Sequence, residues 1–429
     1  MNVILGQPLE KWIQKNPLLN DLMLHKEVVW MNPHKGRADI SLKDKQIDYA
    51  DIIDASARLE RFKPLIAHMF PETADQDGLI ESELTEIKNM KAWLSSHFNK
   101  DLGPLFLKRD SDLPIAGSVK ARGGIYEILK FAETLGIENG LLNASDNYEI
   151  LGSAKAKSLF ETYEVIVGST GNLGMSIGII SAKLGFEVTV HMSADAKEWK
   201  KQWLRSNGVT VVEHASDYSL AVGKGREQAA QNPNAHFVDD ENSLDLFLGY
   251  SVAALRLEQQ LKDLGLMYSE KTPLVVHIPC GVGGAPGGIA FGLKHVFKDA
   301  VRIYFVEPTH SPSMLIGLMT GKHDDLSVQD FGIDNLTEAD GLACGRPSKL
   351  AGRMVENIID GAYTIDDSKL FVFMQALYKK ESIFIEPSAA AGFLGTLVVP
   401  SIPEDSVQIV WATGGLLVPD EERKLYLNR

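Results

Sequence analysis

The strongest constraint on this chain is an alternation of short apolar runs with amphipathic ones, sustained from Glu164 to Val306. Runs at 164–167, 187–191, 209–212, 236–238, 274–278 and 302–306 are short, apolar and largely β-branched, and read as strands. Between them, 173–184, 197–206, 218–231, 244–264 and 288–297 repeat apolar residues at helical spacing, the first closed by Gly185. Outside this block, 105–109 reads as a strand, and helices at 367–380 and 388–397 lead to a strand at 408–412. Parallel strands buried beneath the helices that connect them satisfy such an order. The expectation is therefore an α/β protein of two open, mostly parallel sheets flanked by helices. A small domain, 164–241, is inserted in a large domain formed by 1–163 and 242–429. Residues 9–99 read as helical and connective, and 136–157, rich in Asn, Ser and Gly, as an irregular excursion.

In open sheets of this kind ligands bind beyond the C-terminal ends of the strands. The first unusual loop there is Gly168-Ser169-Thr170-Gly171-Asn172-Leu173-Gly174. Small residues let backbone approach a ligand, and N–H groups at the helix start suit a carboxylate or phosphate. Asn172 adds an amide that both donates and accepts. The second loop, Cys280-Gly281-Val282-Gly283-Gly284-Ala285-Pro286-Gly287-Gly288, is glycine-rich enough to form a nest of N–H groups around a phosphate. Gly281, Gly283 and Gly287, followed by Glu307 at the end of the next strand, also keep open a dinucleotide site and a nicotinamide-dependent oxidoreductase. The third, Thr413-Gly414-Gly415, offers a hydroxyl at a strand end. Asp239-Asp240-Glu241 follows a strand on the same side.

A lysine stands in a fourth place. Pro114 to Gly124 reads as a loop turning into a helix at Ser118, an N-cap hydroxyl, with Lys120 in the first turn. Positive helix-end charge and burial both disfavour an ammonium there. A neutral amine is what a Schiff base with an aldehyde cofactor requires.

Composition excludes several classes. A net charge of −14 offers no basic stripe to nucleic acid. Two cysteines make no disulfide framework and no C-x-x-C zinc pair. Neither a signal peptide nor an apolar run long enough to span a bilayer is present, so the expected compartment is the cytoplasm.

Taken together, the G-S-x-K lysine, the S-T-G-N loop, the glycine-rich loop and the late T-G-G resemble the pyridoxal-phosphate enzymes of the tryptophan-synthase-β fold type, fold type II. Further stretches, among them Trp30-Met31-Asn32-Pro33, 237–250, 305–312 and 339–348, resemble the branch of that family that deaminates D-serine to pyruvate and ammonia. The resemblance implies that Lys120 holds pyridoxal 5'-phosphate and that Asn172 bonds the ring 3-oxygen. It implies that Gly281, Val282, Gly283 and Gly284 cradle the phosphate, and that Thr413 faces the ring nitrogen. Ser169, Thr170 and Gly171 would take the carboxylate of an amino-acid substrate, with Thr170 a proton donor and Asp240 an acid–base group opposite Lys120. It also implies a monovalent cation, potassium, with Glu307 as a ligand, a monomeric chain, and D-threonine as a second substrate. An L-serine or L-threonine dehydratase and a β-replacing synthase share these loops and stay open. Two positions depart from the family pattern: Ala285 replaces a glycine, and Leu416-Leu417 replaces Gly-Met.

Overall fold

A computed structural model describes residues 3–43, 45–169, 171–194, 196–215 and 218–429. Eleven strands among these residues form its two larger sheets. They are β1 (Val29–Met31), β2 (Leu84–Glu86), β3 (Leu105–Lys108), β4 (Glu164–Gly168), β5 (Glu187–Ser193), β6 (Thr210–His214), β7 (Ala235–Val238), β8 (Leu274–Pro279), β9 (Val301–Pro308), β10 (Gly361–Ile365) and β11 (Gln408–Trp411). The four-stranded sheet runs β6-β5-β4-β7 and is wholly parallel. The seven-stranded sheet runs β1-β10-β9-β8-β11-β3-β2. Its five central strands are parallel, and the edge strands β1 and β2 pair antiparallel.

The central strands are buried on both faces, and their period-2 geometry feeds two cores. Leu274, Val276 and Ile278 of β8 and Ile303 and Phe305 of β9 join one apolar cluster. Val275, Tyr304 and Val306 point the other way into a second. Covering both faces in this manner is what allows a parallel sheet to consist of nearly unbroken apolar runs.

Several elements differ from the sequence reading. The helix after the glycine-rich loop begins at Gly284, four residues earlier than its apolar spacing indicates. Segment 244–264 is two helices, Leu244–Ser251 and Ala253–Asp263. Segment 388–397 is mostly a 3₁₀ helix, Pro387–Leu394, followed by a short α turn. The excursion at 136–157 contains the 3₁₀ turn Tyr148–Gly152 and the start of helix Ala154–Phe160. No helix among the described residues is long and apolar enough to cross a membrane.

Candidate active site

The parallel strands of both sheets open their C-terminal ends onto one cleft of about 710 Å³, its mouth included. Its walls carry Lys120 after β3, Ser169 and Asn172 after β4, Asp240 after β7, Gly281 to Gly283 after β8, and Thr413 after β11. Five loops far apart in sequence thus meet because parallel strands all end on the same side.

Lys120 opens a single π-helical turn, Ala121–Ile125, which continues as helix Tyr126–Glu138. Ser118 does not cap it. Its Oγ is buried with no hydrogen-bond partner among the described residues, and its backbone instead pairs with Gly414 while Val119 N donates to Thr413 O at 2.8 Å. The lysine loop and the Thr413 loop are therefore stitched together backbone to backbone. Lys120 Nζ lies 3.2 Å from Asp240 Oδ2 and 5.8 Å from the centre of the Tyr250 ring. The sequence reading weighed only helix end and burial for the charge of this amine and set Asp240 opposite it; in the fold the Asp240 carboxylate lies beside it.

The glycine-rich loop turns into its helix through Gly283, whose φ of +109° is in the left-handed region. A β-carbon there would meet Met314 Cε at 2.1 Å. The first intrahelical bond is Gly287 N to Gly283 O, so the amides of Gly284 and Ala285 precede any intrahelical acceptor, and Pro286 has none to satisfy. Ala285, the first departure from the family pattern, is the second residue of this helix and is not among the positive-φ residues. Its methyl group costs the backbone nothing. The second departure, Leu416-Leu417, packs against Gly117, where a β-carbon would meet Leu416 Cβ at 2.8 Å.

In the Ser169 loop, Ser169 Oγ accepts from the N–H groups of Gly171 and Gly174, both at 2.9 Å. The Gly171 amide is thus turned inward, while the Ser169 hydroxyl proton remains to donate. Thr170 lies outside the described residues. Glu307 is completely buried, and its two oxygens accept from Met314 N and Leu315 N, each at 2.7 Å, at the start of helix Ser313–Thr320. Burial pushes its carboxyl up to about 8 against those two bonds.

Three charged or polar residues of the site escaped the sequence reading. Glu386 lines the cleft, 5% exposed, and accepts from Asn172 Nδ2 at 2.9 Å. Asp340, also in the wall, takes Lys200 Nζ at 2.9 Å. Burial lowers the Lys200 ammonium's pKa, but Asp340 and Glu386 outweigh it and keep it raised. Lys120–Asp240, Asn172–Glu386 and Lys200–Asp340 each join an element of one sheet to an element of the other. A signal for Glu386 was present: a lone acid immediately before Pro387 and an apolar helix has no solvent-facing periodicity to explain it.

Away from the cleft, His25, His310 and Asp334 bring three ligand atoms within 4.8 Å of one another. Their imidazole rings stack nearly parallel, 3.9 Å apart, so their in-plane lone pairs do not converge on one ion. His310 instead bonds Asp334 at 2.7 Å.

A lysine amine, a helix N-terminus with free amides and a strand-end hydroxyl around one cleft match the handles of pyridoxal phosphate: aldehyde, phosphate and ring. Residues 84–414 match the family described as pyridoxal-phosphate dependent enzyme. Diaminopropionate ammonia lyase from Escherichia coli, solved in complex with D-serine, shares the fold, with a TM-score of 0.73 at 19% identity over 94% of this chain and 97% of that one. The chain belongs to the pyridoxal-phosphate-dependent enzymes of fold type II. Over its whole length it is 52% identical to a protein named probable D-serine dehydratase from Ectopseudomonas mendocina (strain ymp), of which it covers 99%. A protein of the same name from Geobacillus stearothermophilus is 51% identical across 97% of this chain and 95% of the relative. Within the larger family, this chain is a member of the D-serine dehydratase group.

Proposed function

We propose that the chain deaminates D-serine to pyruvate and ammonia, using pyridoxal phosphate held by Lys120: water is lost in the α,β-elimination and regained when the resulting imine hydrolyses. The observation that carries this reading is the meeting of the Lys120 amine, the Gly284 helix start and Asn172 in one cleft. Bound there, pyridoxal phosphate supplies an electron sink that acidifies the α-hydrogen of an amino acid joined to its aldehyde. The chain's residues supply the rest. The amides at Gly284 and Ala285 bind a phosphate dianion at the positive helix end. Asn172 and Thr413 orient the ring from opposite loops. With its amine free, Lys120 would take the α-proton, and Asp240, 3.2 Å away, would hold the resulting ammonium in place. Thr170 donates a proton to the leaving hydroxyl, and Ser169 donates its free hydroxyl proton to the substrate carboxylate.

D-threonine differs by one methyl group and is proposed as a second substrate. A monovalent cation is proposed beside Glu307, whose completely buried carboxyl group accepts from the backbone amides of Met314 and Leu315. Equal activity in potassium and in a large organic cation removes that site. A monomer in the cytoplasm is the proposed state of the protein.

Pyruvate release from D-serine, L-serine and D-threonine tests the reading. D-serine turnover by the wild type and its loss in Lys120→Ala are expected. Turnover of L-serine alone favours the L-dehydratase alternative, and a Lys120→Ala variant as active as wild type refutes the role of the lysine.

A further inference from the structure

Glu386 stands where the mechanism above gives it no task. It is held from two directions: its backbone N–H donates to Gly414 O at 2.9 Å, and its Oε1 accepts from Asn172 Nδ2 at 2.9 Å. The contact with Asn172 depends on position 414 having no side chain, because a β-carbon there would lie 2.3 Å from Glu386 Oε1. Lys200, whose charge acts on Glu386, is already engaged by Asp340. Burial pushes the Glu386 carboxyl up to about 7; Lys200 and the Asn172 bond pull it down, and Asp340 adds to the rise. A buried acid kept at such a disadvantage needs a reason to be there.

The two ends of an asparagine amide are nearly the same size and opposite in hydrogen-bonding sense, so a neighbour must decide which end faces which way. An ionised carboxylate only accepts. Opposite the ionised form of Glu386, which Lys200 and the Asn172 bond favour, Asn172 presents its NH₂ end, as the Nδ2 to Oε1 bond records, and the second N–H of that group is left to donate within the cleft both residues line. The ring oxygen of a bound pyridoxal phosphate carries negative charge and needs a donor. The opposite amide orientation would confront it with a carbonyl oxygen.

We infer that Glu386 is a positioning residue that fixes the Asn172 side chain as a hydrogen-bond donor to the cofactor ring. This rests on the reading of the cleft as a pyridoxal-phosphate site. The test is a double-mutant cycle read by the dissociation constant of pyridoxal phosphate from apoenzyme, followed by fluorescence. Asn172→Ala is expected to weaken binding about ten- to hundredfold, the effect of losing a bond to a charged group. Glu386→Met, similar in length and unable to accept, is expected to weaken it to nearly the same degree. If the two act as one unit, Glu386→Met adds less than about threefold in the Asn172→Ala background. Glu386→Gln, which keeps an acceptor for Nδ2, should recover most of the affinity.

Independent, multiplicative losses in the cycle overturn the inference, as does a Glu386→Gln variant that binds as weakly as Glu386→Met. If circular dichroism shows Glu386→Met unfolded, Gly414→Ala displaces the carboxylate while leaving it in the chain, and affinity equal to wild type in that variant overturns the inference. A wild-type apoenzyme that takes up no pyridoxal phosphate defeats the reading of the cleft itself. A wild type that binds, alongside a Glu386→Met variant that binds equally well, defeats only the role of Glu386.

Discussion

Asp110→Asn should unravel the mount on which both Lys120 and Thr413 sit. The Asp110 side chain is fully buried and accepts four hydrogen bonds. Oδ2 takes Arg122 Nε and Trp411 Nε1, and Oδ1 takes Arg122 Nη2 and Ser82 Oγ, each at 2.7 Å. Arg122 lies two residues after Lys120, and Trp411 two before Thr413. Around them Glu81 pairs with Arg122 at 2.5 Å and with Lys108 at 2.7 Å, so two buried acids balance two buried bases. Changing Asp110 to Asn leaves one positive charge uncompensated and turns an NH₂ group toward donors. Removing one partner from a buried ion pair typically costs about 3–5 kcal/mol. Urea denaturation of the apoenzyme measures this loss, with Asp21→Asn as a control, since its pair with Lys26 is 42% and 58% exposed and should leave the curve unmoved. A loss below about 1 kcal/mol for Asp110→Asn, no more than an ordinary hydrogen bond contributes, would refute the claim that this network is a dry and mutually dependent unit.

The same network makes acid stability predictable. Burial alone would raise Glu81, but Arg122 and Lys108 outweigh it and hold the carboxyl well below the usual carboxylate range. A depressed group contributes stability that is present above its unfolded value, about 4.3, and lost as pH falls through its folded one. Glu81→Gln should therefore be less stable than wild type at pH 7, with the gap narrowing as acid is added; a gap constant from pH 7 down to acid unfolding would contradict this. At the phosphate loop, Gly283→Ala forces an L side chain to φ +109° with its β-carbon 2.1 Å from Met314 Cε. The backbone strain, about 1–3 kcal/mol, should weaken pyridoxal phosphate binding at least fivefold, measured by titration of apoenzyme. Ala285→Gly, inside the helix, should leave that affinity nearly unchanged.

What could be read from the sequence divides along a physical line. The central strands were legible because a strand buried on both faces must be largely apolar, and β4, β8 and β9 announce themselves in that way. Strands β1 and β10 were not, since Gly361-Ala362-Tyr363-Thr364-Ile365 becomes a strand only by lying between β9 and an antiparallel edge drawn from residues 29–31. The same division runs through the cleft. Phosphate and backbone contacts are made by glycines and helix ends, whose signature is local composition, so the loops at 168–174 and 280–288 could be picked out directly. Charge is different. Lys120 meets Asp240 across 120 residues, Lys200 meets Asp340 across 140, and Asn172 meets Glu386 across 214. An acid or base whose partner is supplied by another sheet leaves no periodicity beside it, and its meaning exists only once the sheets have closed. Each of those three pairs joins the two sheets, so the interactions hardest to find in the sequence are also the ones that tie together the walls of the cleft. Loosening any one of them should therefore disturb cofactor seating before it disturbs the cores on either side.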